Sequence, residues 1–206
     1  MESMNLDFKK VWPDQNRVMK MLDCSEDNPT FQTLIQLFEQ SCHLCKKLLK
    51  PVGRWAFECK TFSEANRGFV FISVGAGLEG QADECFVHGD YMKAMMLHAI
   101  ADDCLFQMER MVDASVNRWC ERCRLKVARR LEAGNDFNEK TLENVISQCD
   151  LPKEWGIRVT PGGMLVPEKS MCFIYTFKTK GEGWQHDCRQ CLKKDCRLKG
   201  LWFDGR

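Results

Sequence analysis

No stretch of this sequence approaches the roughly 18 consecutive apolar residues needed to cross a bilayer. Its first ten residues, MESMNLDFKK, contain no apolar signal-peptide core. Charge of one sign is missing too: 30 Lys and Arg face 29 Asp and Glu, which argues against a polyanion partner such as nucleic acid. Internal repeats, low-complexity segments and strong linkers are absent. No Ser-His-Asp or Cys-His arrangement stands out, so no general acid, general base or nucleophile is assigned. These absences predict a soluble, cytoplasmic chain with neither a nucleic-acid nor a membrane partner.

What is present is ordinary for a globular protein, at 44% apolar and 29% charged residues. The 206 residues suffice to bury one sizeable core. The outlier is cysteine, with 13 residues. The chain is long for a disulfide scaffold, the count is odd and no export signal is visible, so reduced thiols are expected, as core filler or as metal ligands. Cys85, Cys104, Cys149 and Cys172 stand singly among apolar or helical neighbours and read as small buried hydrophobes. Cys42 with Cys45, and Cys120 with Cys123, are C-x2-C pairs inside helical patterns, where a spacing of three puts both on one face. The polar end HDCRQCLKKDCRLKG differs. Cys188, Cys191 and Cys196 lie where little apolar sequence could hold them in place, so a metal is the simpler explanation. Three such thiolates suit an iron–sulfur cluster, or zinc with a further ligand. Cys172, His186 and the two helical pairs are the candidates for the fourth position.

Residues 5–50 read as helical, with Phe31, Leu34, Ile35, Leu37, Phe38, Cys42, Cys45 and Leu48 at three- and four-residue steps and Pro51 as the stop. RWAFECKTF and GFVFISVG read as strands within 53–75, followed by a turn punctuated by Gly75 and Gly77. Residues 90–131 read as the longest helical stretch, capped by Asp90 and broken or bent near Asn117, with a basic end in RWCERCRLKVARR. A further helix in NEKTLENVISQCD ends at Leu151-Pro152, and two β-rich runs follow around Pro161-Gly162-Gly163 and Val166-Pro167. The order predicts an α+β fold, an antiparallel sheet packed on long helices. Residues 1–178 form the main domain, and 179–206 a separable Cys-rich tail.

Three blocks of this chain, in register over about half its length, resemble the activation (reactivation) domain of vitamin-B12-dependent methionine synthase. Val74 to Asp103, VGAGLEGQADECFVHGDYMKAMMLHAIADD, is similar to the family's glycine turn and central helix. RLEAGND at 130–136 resembles its Arg-x-x-x-Gly-Tyr element, with Asn135 in place of the Tyr. GIRVTPGGMLVPEKSMCFIY at 156–175 resembles its signature of Gly, Thr, Met, Pro, Ser and a terminal aromatic. The resemblance implies a C-shaped α+β fold that binds S-adenosylmethionine in a shallow cleft and supports reductive methylation. In that chemistry cob(II)alamin accepts one electron and is then methylated from the sulfonium.

Carried onto this sequence, the resemblance implies that Arg130 pairs the ligand carboxylate, as a planar fork can do bidentately. It implies that Gly134 lets backbone approach the ligand, and that Asn135 and Tyr175 complete the site; Trp184 is the other candidate for the terminal aromatic. The family's acidic residue on the long helix corresponds to Asp102, Asp103 or Glu109. No Asp-x-His-x-x-Gly corrinoid signature is present, since His88 in FVHGD lacks the Asp two residues earlier. The chain is thus not a complete methionine synthase, and any corrinoid is expected on a partner protein. The expected cofactors are S-adenosylmethionine and an iron–sulfur cluster, or zinc, at the C-terminal thiols. The expected partners are a corrinoid-binding protein and an electron donor such as a ferredoxin or flavodoxin, in anaerobic one-carbon metabolism. The alternative is a non-enzymatic metal-binding module that kept the fold and lost the S-adenosylmethionine site.

Overall fold

The computed structural model describes residues 2–58, 67–133, 136 and 139–184. A five-stranded antiparallel sheet forms the middle of the molecule, in the order β1-β2-β3-β7-β4. Its strands are β1 (Glu2–Asn5), β2 (Val52–Glu58), β3 (Arg67–Ser73), β4 (Lys126–Glu132) and β7 (Ser170–Lys178). Five helices accompany it: α1 (Gln15–Met21), α2 (Phe31–Leu48), α3 (Gly77–Val87), α4 (Tyr91–Arg122) and α5 (Glu139–Cys149). A small ladder of β5 (Arg158–Val159) and β6 (Leu165–Val166) flanks the Pro161-Gly162-Gly163 turn. The α+β expectation holds. No helix among the described residues is long and apolar enough to cross a membrane.

The central strand explains its own sequence. Along β3, every residue from Gly68 to Ser73 is buried, because both faces of the sheet are covered. On one face Val70 and Ile72 join Trp55, Phe173, Tyr175 and the apolar stripe of α4 in the larger core. On the other, Phe69 and Phe71 meet Leu142, Val145 and Cys149 of α5. Gly77 allows α3 to start against the end of α2: a Cβ there would lie 2.4 Å from the Leu48 carbonyl oxygen. Asp90 caps α4 as expected, its carboxylate accepting from the Lys93 N–H.

Two expectations are corrected. Residues 5–50 are not helical throughout; β1, α1 and α2 are separate elements joined by turns. The stretch 90–131 is not helical to its end either. α4 is one unbroken helix of 32 residues, about 48 Å long at 1.5 Å per residue. It passes Asn117 without interruption and stops at Cys123 and Arg124, the latter left-handed at φ 56°. Leu125 and Val127 then lead into an edge strand, β4. Its register against β7 slips between Val127 and Arg129, so Ala128 is the extra residue of a β-bulge. Val127 and Arg130 consequently bury on the same face although three positions apart. A buried pair at that spacing imitates a helix, which is the physical source of the misreading.

Cys85, Cys104, Cys149 and Cys172 are buried as predicted, and in each helical pair one thiol is buried and one half-buried. Burial pushes the Cys45, Cys120 and Cys149 thiols up to about 12, away from thiolate chemistry. All nine cysteines among the described residues are unpaired.

Candidate ligand-binding site

The densest charged cluster of the interior is built by three elements. α4 presents Glu109 and Asp113, four residues apart and hence on one face. β4 presents Arg130 and Glu132, two apart and hence on one face. β7 presents Phe173 and Tyr175 in the same way, with Tyr175 directly across the ladder from Arg130.

The guanidinium of Arg130 is the hub, its side chain only 1% exposed. Its Nη1 donates to Glu109 Oε1 at 2.6 Å and to Asp113 Oδ2 at 3.3 Å, and its Nη2 donates to Glu132 Oε1 at 2.5 Å. Tyr175 donates its hydroxyl to the other oxygen of Asp113. The flat cation lies 4.7 Å from the Phe173 ring centre and 5.1 Å from that of Trp184. Trp184 is brought there by its own N–H, which donates to the Val127 carbonyl at 2.8 Å. One donor is left over: Arg130 Nε is buried and has no hydrogen-bond partner among the described residues.

Three carboxylates surround one cation, and their exposure rises outward, from 6% at Glu109 through 18% at Asp113 to 36% at Glu132. The innermost acid bears the consequence. Burial raises Glu109 to about 7, with the charges of Asp113 and Glu132 adding and Arg130 opposing. Tyr175 stands well above the usual phenol range, through burial and through the charge of Asp113. Burial alone would lower Arg130, but Glu109, Asp113, Tyr175 and Glu132 outweigh it and hold the cation firmly charged. The cluster thus holds a fixed cation, with one N–H unmet among the described residues, beside an acid that burial keeps near neutrality.

Two of the residues expected here, Arg130 and Tyr175, are brought together. Gly134 and Asn135 lie outside the described residues, although Asp136 just beyond them is fixed: it accepts from the Glu132 N–H at 2.9 Å and from Arg129 at 2.6 Å. Cys188, Cys191 and Cys196 also lie outside the described residues, as does His186. Of the three acids considered on α4, Glu109 is the one at Arg130. Asp103 instead binds Arg17 at 2.7 Å, and Asp102 binds Lys169 at 2.9 Å. Both aromatic candidates, Tyr175 and Trp184, reach the cluster. Asp113, Glu132 and Phe173 were not anticipated. The available signals were the spacing of Asp113 from Glu109 along a buried helix face and of Glu132 from Arg130 along a strand.

A cavity of about 530 Å³ lies at the opposite sheet edge, between Asn5–Asp7 and the end of α4, walled by Trp55, Trp119, Arg118 and Arg122. Its arginines are exposed and none of the charged groups just described lines it.

No protein-family model matches the sequence, and no curated protein does. Among solved structures, the chain is similar to a crystal structure of the MetH reactivation domain bound to AdoHcy. The match has a TM-score of 0.57 at 12% identity, and it covers 92% of this chain and 82% of that one. The chain therefore has the fold of that domain.

Proposed function

We propose that this protein binds S-adenosylmethionine at the Arg130 cluster and supports reductive methylation of a corrinoid carried by a partner protein. The observation that carries the reading is the buried guanidinium of Arg130, across the ladder from Tyr175, with an unused Nε–H. An orphaned donor of this kind costs stability unless something accepts from it, and the aminoacid carboxylate of the ligand is a suitable acceptor. The carboxylates of Asp113 and Glu132, beside the guanidinium at 3.3 and 2.5 Å, suit the ligand's ammonium and sulfonium charges. The structural neighbour on the same fold is bound to AdoHcy, which supports this ligand class.

Each group in the cluster has a definable task in this reading. Arg130 fixes the carboxylate, Asp113 and Glu132 offset the positive charges, and Tyr175 holds Asp113 in place. These residues position and orient; the transferable methyl belongs to the ligand. The corrinoid is the substrate. It takes one electron and then the methyl, giving methylcobalamin and S-adenosylhomocysteine.

The reading assigns Cys188, Cys191 and Cys196 to an iron–sulfur cluster or zinc. A cluster there would supply a low-potential electron drawn from a ferredoxin or flavodoxin, in the cytoplasm of an anaerobe. Among the described residues no group of His, Cys, Asp and Glu could hold a metal ion, so this part rests on the tail thiols. Anaerobic purification followed by iron, sulfide and zinc determination tests it: iron with acid-labile sulfide supports a cluster, and zinc alone replaces it.

The saturation of both Arg130 amino groups by the protein's own acids favours a second reading, a metal-binding interaction module that kept the fold and lost the ligand. Titration calorimetry with S-adenosylmethionine decides between them. Binding by the wild type that is lost in Arg130→Ala supports the site. No heat at millimolar ligand, with metal still present, selects the module.

A further inference from the structure

The cluster has a cover, and the cover is attached unlike anything else around it. Glu109 and Asp113 belong to a long helix, and Phe173 and Tyr175 to a strand bonded on both sides. Trp184 alone arrives on a strap. The strap, residues 179–183, is exposed along its length and has no regular structure. It contains two glycines, of which Gly181 is left-handed at φ 85°, and glycines let such a segment re-orient at low steric cost. At its end the indole is half-buried, its ring centre 5.1 Å from the guanidinium carbon, and the Trp184 backbone is held by its N–H donating to the Val127 carbonyl. The other ring at the guanidinium, Phe173 at 4.7 Å, is 3% exposed and part of the core. Two of the three edges of the fork are occupied by carboxylates. Of the two rings, the one a ligand can move without opening the buried core is therefore Trp184, which packs partly buried at the core's margin.

We propose that the 179–184 strap is a displaceable cover that keeps the Arg130 site closed in the free protein, with Trp184 leaving the guanidinium when S-adenosylmethionine or S-adenosylhomocysteine enters. This rests on the reading that Arg130 is the ligand site. The indole and the ligand then compete for the same cation. The apparent affinity is the intrinsic affinity reduced by the fraction of molecules whose strap is open. A cation–π contact of ordinary strength holds that fraction near one in ten, so removing the indole tightens binding by about tenfold.

Two measurements with S-adenosylhomocysteine test this. In titration calorimetry, Trp184→Ala is expected to bind about tenfold tighter than wild type, and Trp184→Phe to fall between. In hydrogen exchange on the wild-type protein, which needs no variant to fold, the Trp184 amide is expected to exchange faster once ligand is bound. Weaker binding by Trp184→Ala would make the indole a wall of the site and overturn the cover, leaving the ligand reading intact. Unchanged affinity, or slower exchange on binding, overturns it as well. If neither wild type nor Trp184→Ala binds at millimolar ligand, the ligand reading itself fails and the cover falls with it. Binding by Trp184→Ala but not by wild type would support both.

Discussion

Two buried charge clusters sit on the same helix, less than two turns apart, and they are built on opposite principles. At Asp103 one fully buried carboxylate accepts from Arg17 Nε at 2.7 Å and Nη2 at 3.3 Å, from the Asp14 N–H at 2.9 Å and from Gln107 Nε2 at 2.9 Å. Donors meet both oxygens, Arg17 is shared only at longer range with the more exposed Asp14 at 3.7 Å, and the result clamps α1 to α4. At Arg130 one cation meets three anions, one acid is pushed to about 7 and one N–H is unused. The first cluster is matched, meeting every donor and acceptor it brings, whereas the second keeps a buried N–H without a partner among the described residues. That difference, more than burial or ion-pair count, separates the clamp at Asp103 from the proposed site at Arg130.

The contrast can be broken in several places. Asp103→Ala should be the most damaging change, costing about 4 kcal/mol of stability because it removes the buried anion that joins Arg17, the Asp14 N–H and Gln107. It should leave ligand affinity per folded molecule unchanged; urea denaturation and calorimetry on the same variant check both halves. Weakened ligand binding would show that the two clusters are coupled.

Next is the pH dependence of Glu109. Its folded pKa of about 7 lies above the unfolded value of 4.5, so between those values the folded state holds more protons than the unfolded one. Stability from this group is thus greatest below about pH 4.5 and falls as pH rises to about 7, by about 3 kcal/mol in all. Denaturation of the wild type against Glu109→Gln at pH 5 and pH 8 should show that loss in the wild type only. An identical slope in both proteins would return Glu109 to the matched class.

Arg130→Ala should weaken S-adenosylmethionine binding about 100-fold, or about 2.7 kcal/mol, as read by calorimetry. The smallest expected effect is that of Tyr175→Phe, which removes one hydrogen bond to Asp113 and should lower stability by about 1 kcal/mol. A thermal melt resolves it, and a much larger loss would mean that the phenol carries more of the cluster than its one bond to Asp113.

Much of the architecture was legible because it rests on periodicity. α2, α5, β2, β3 and β7 each bury a face whose spacing is plain in the residues. α3 escaped because its buried side is Leu78, Ala82 and Cys85, small residues that give little contrast. The break expected at Asn117 does not occur, since Val116 and Cys120 are buried on either side of it and hold the helix to the core. Within the proposed site, Arg130 and Tyr175 were named through block resemblance, and the ladder sets them opposite each other. Asp113 and Glu132 were not found, because an acid on a helix or strand is ordinarily solvated. What makes Asp113 different is a phenol 62 residues later and a guanidinium 17 residues later, partners that no local pattern contains.

The irregularity in β4 has one more implication, a matter of counting. Val127 stands opposite Phe177, Arg129 opposite Thr176 and Arg130 opposite Tyr175. Three consecutive places on β7 are thus served by four places on β4, and Ala128 is the supernumerary one. Excising Ala128 would leave those partnerships in step and Arg130 still turned toward the long helix. What aims that arginine is its partner across the ladder, and the number of residues leading up to it is free to drift.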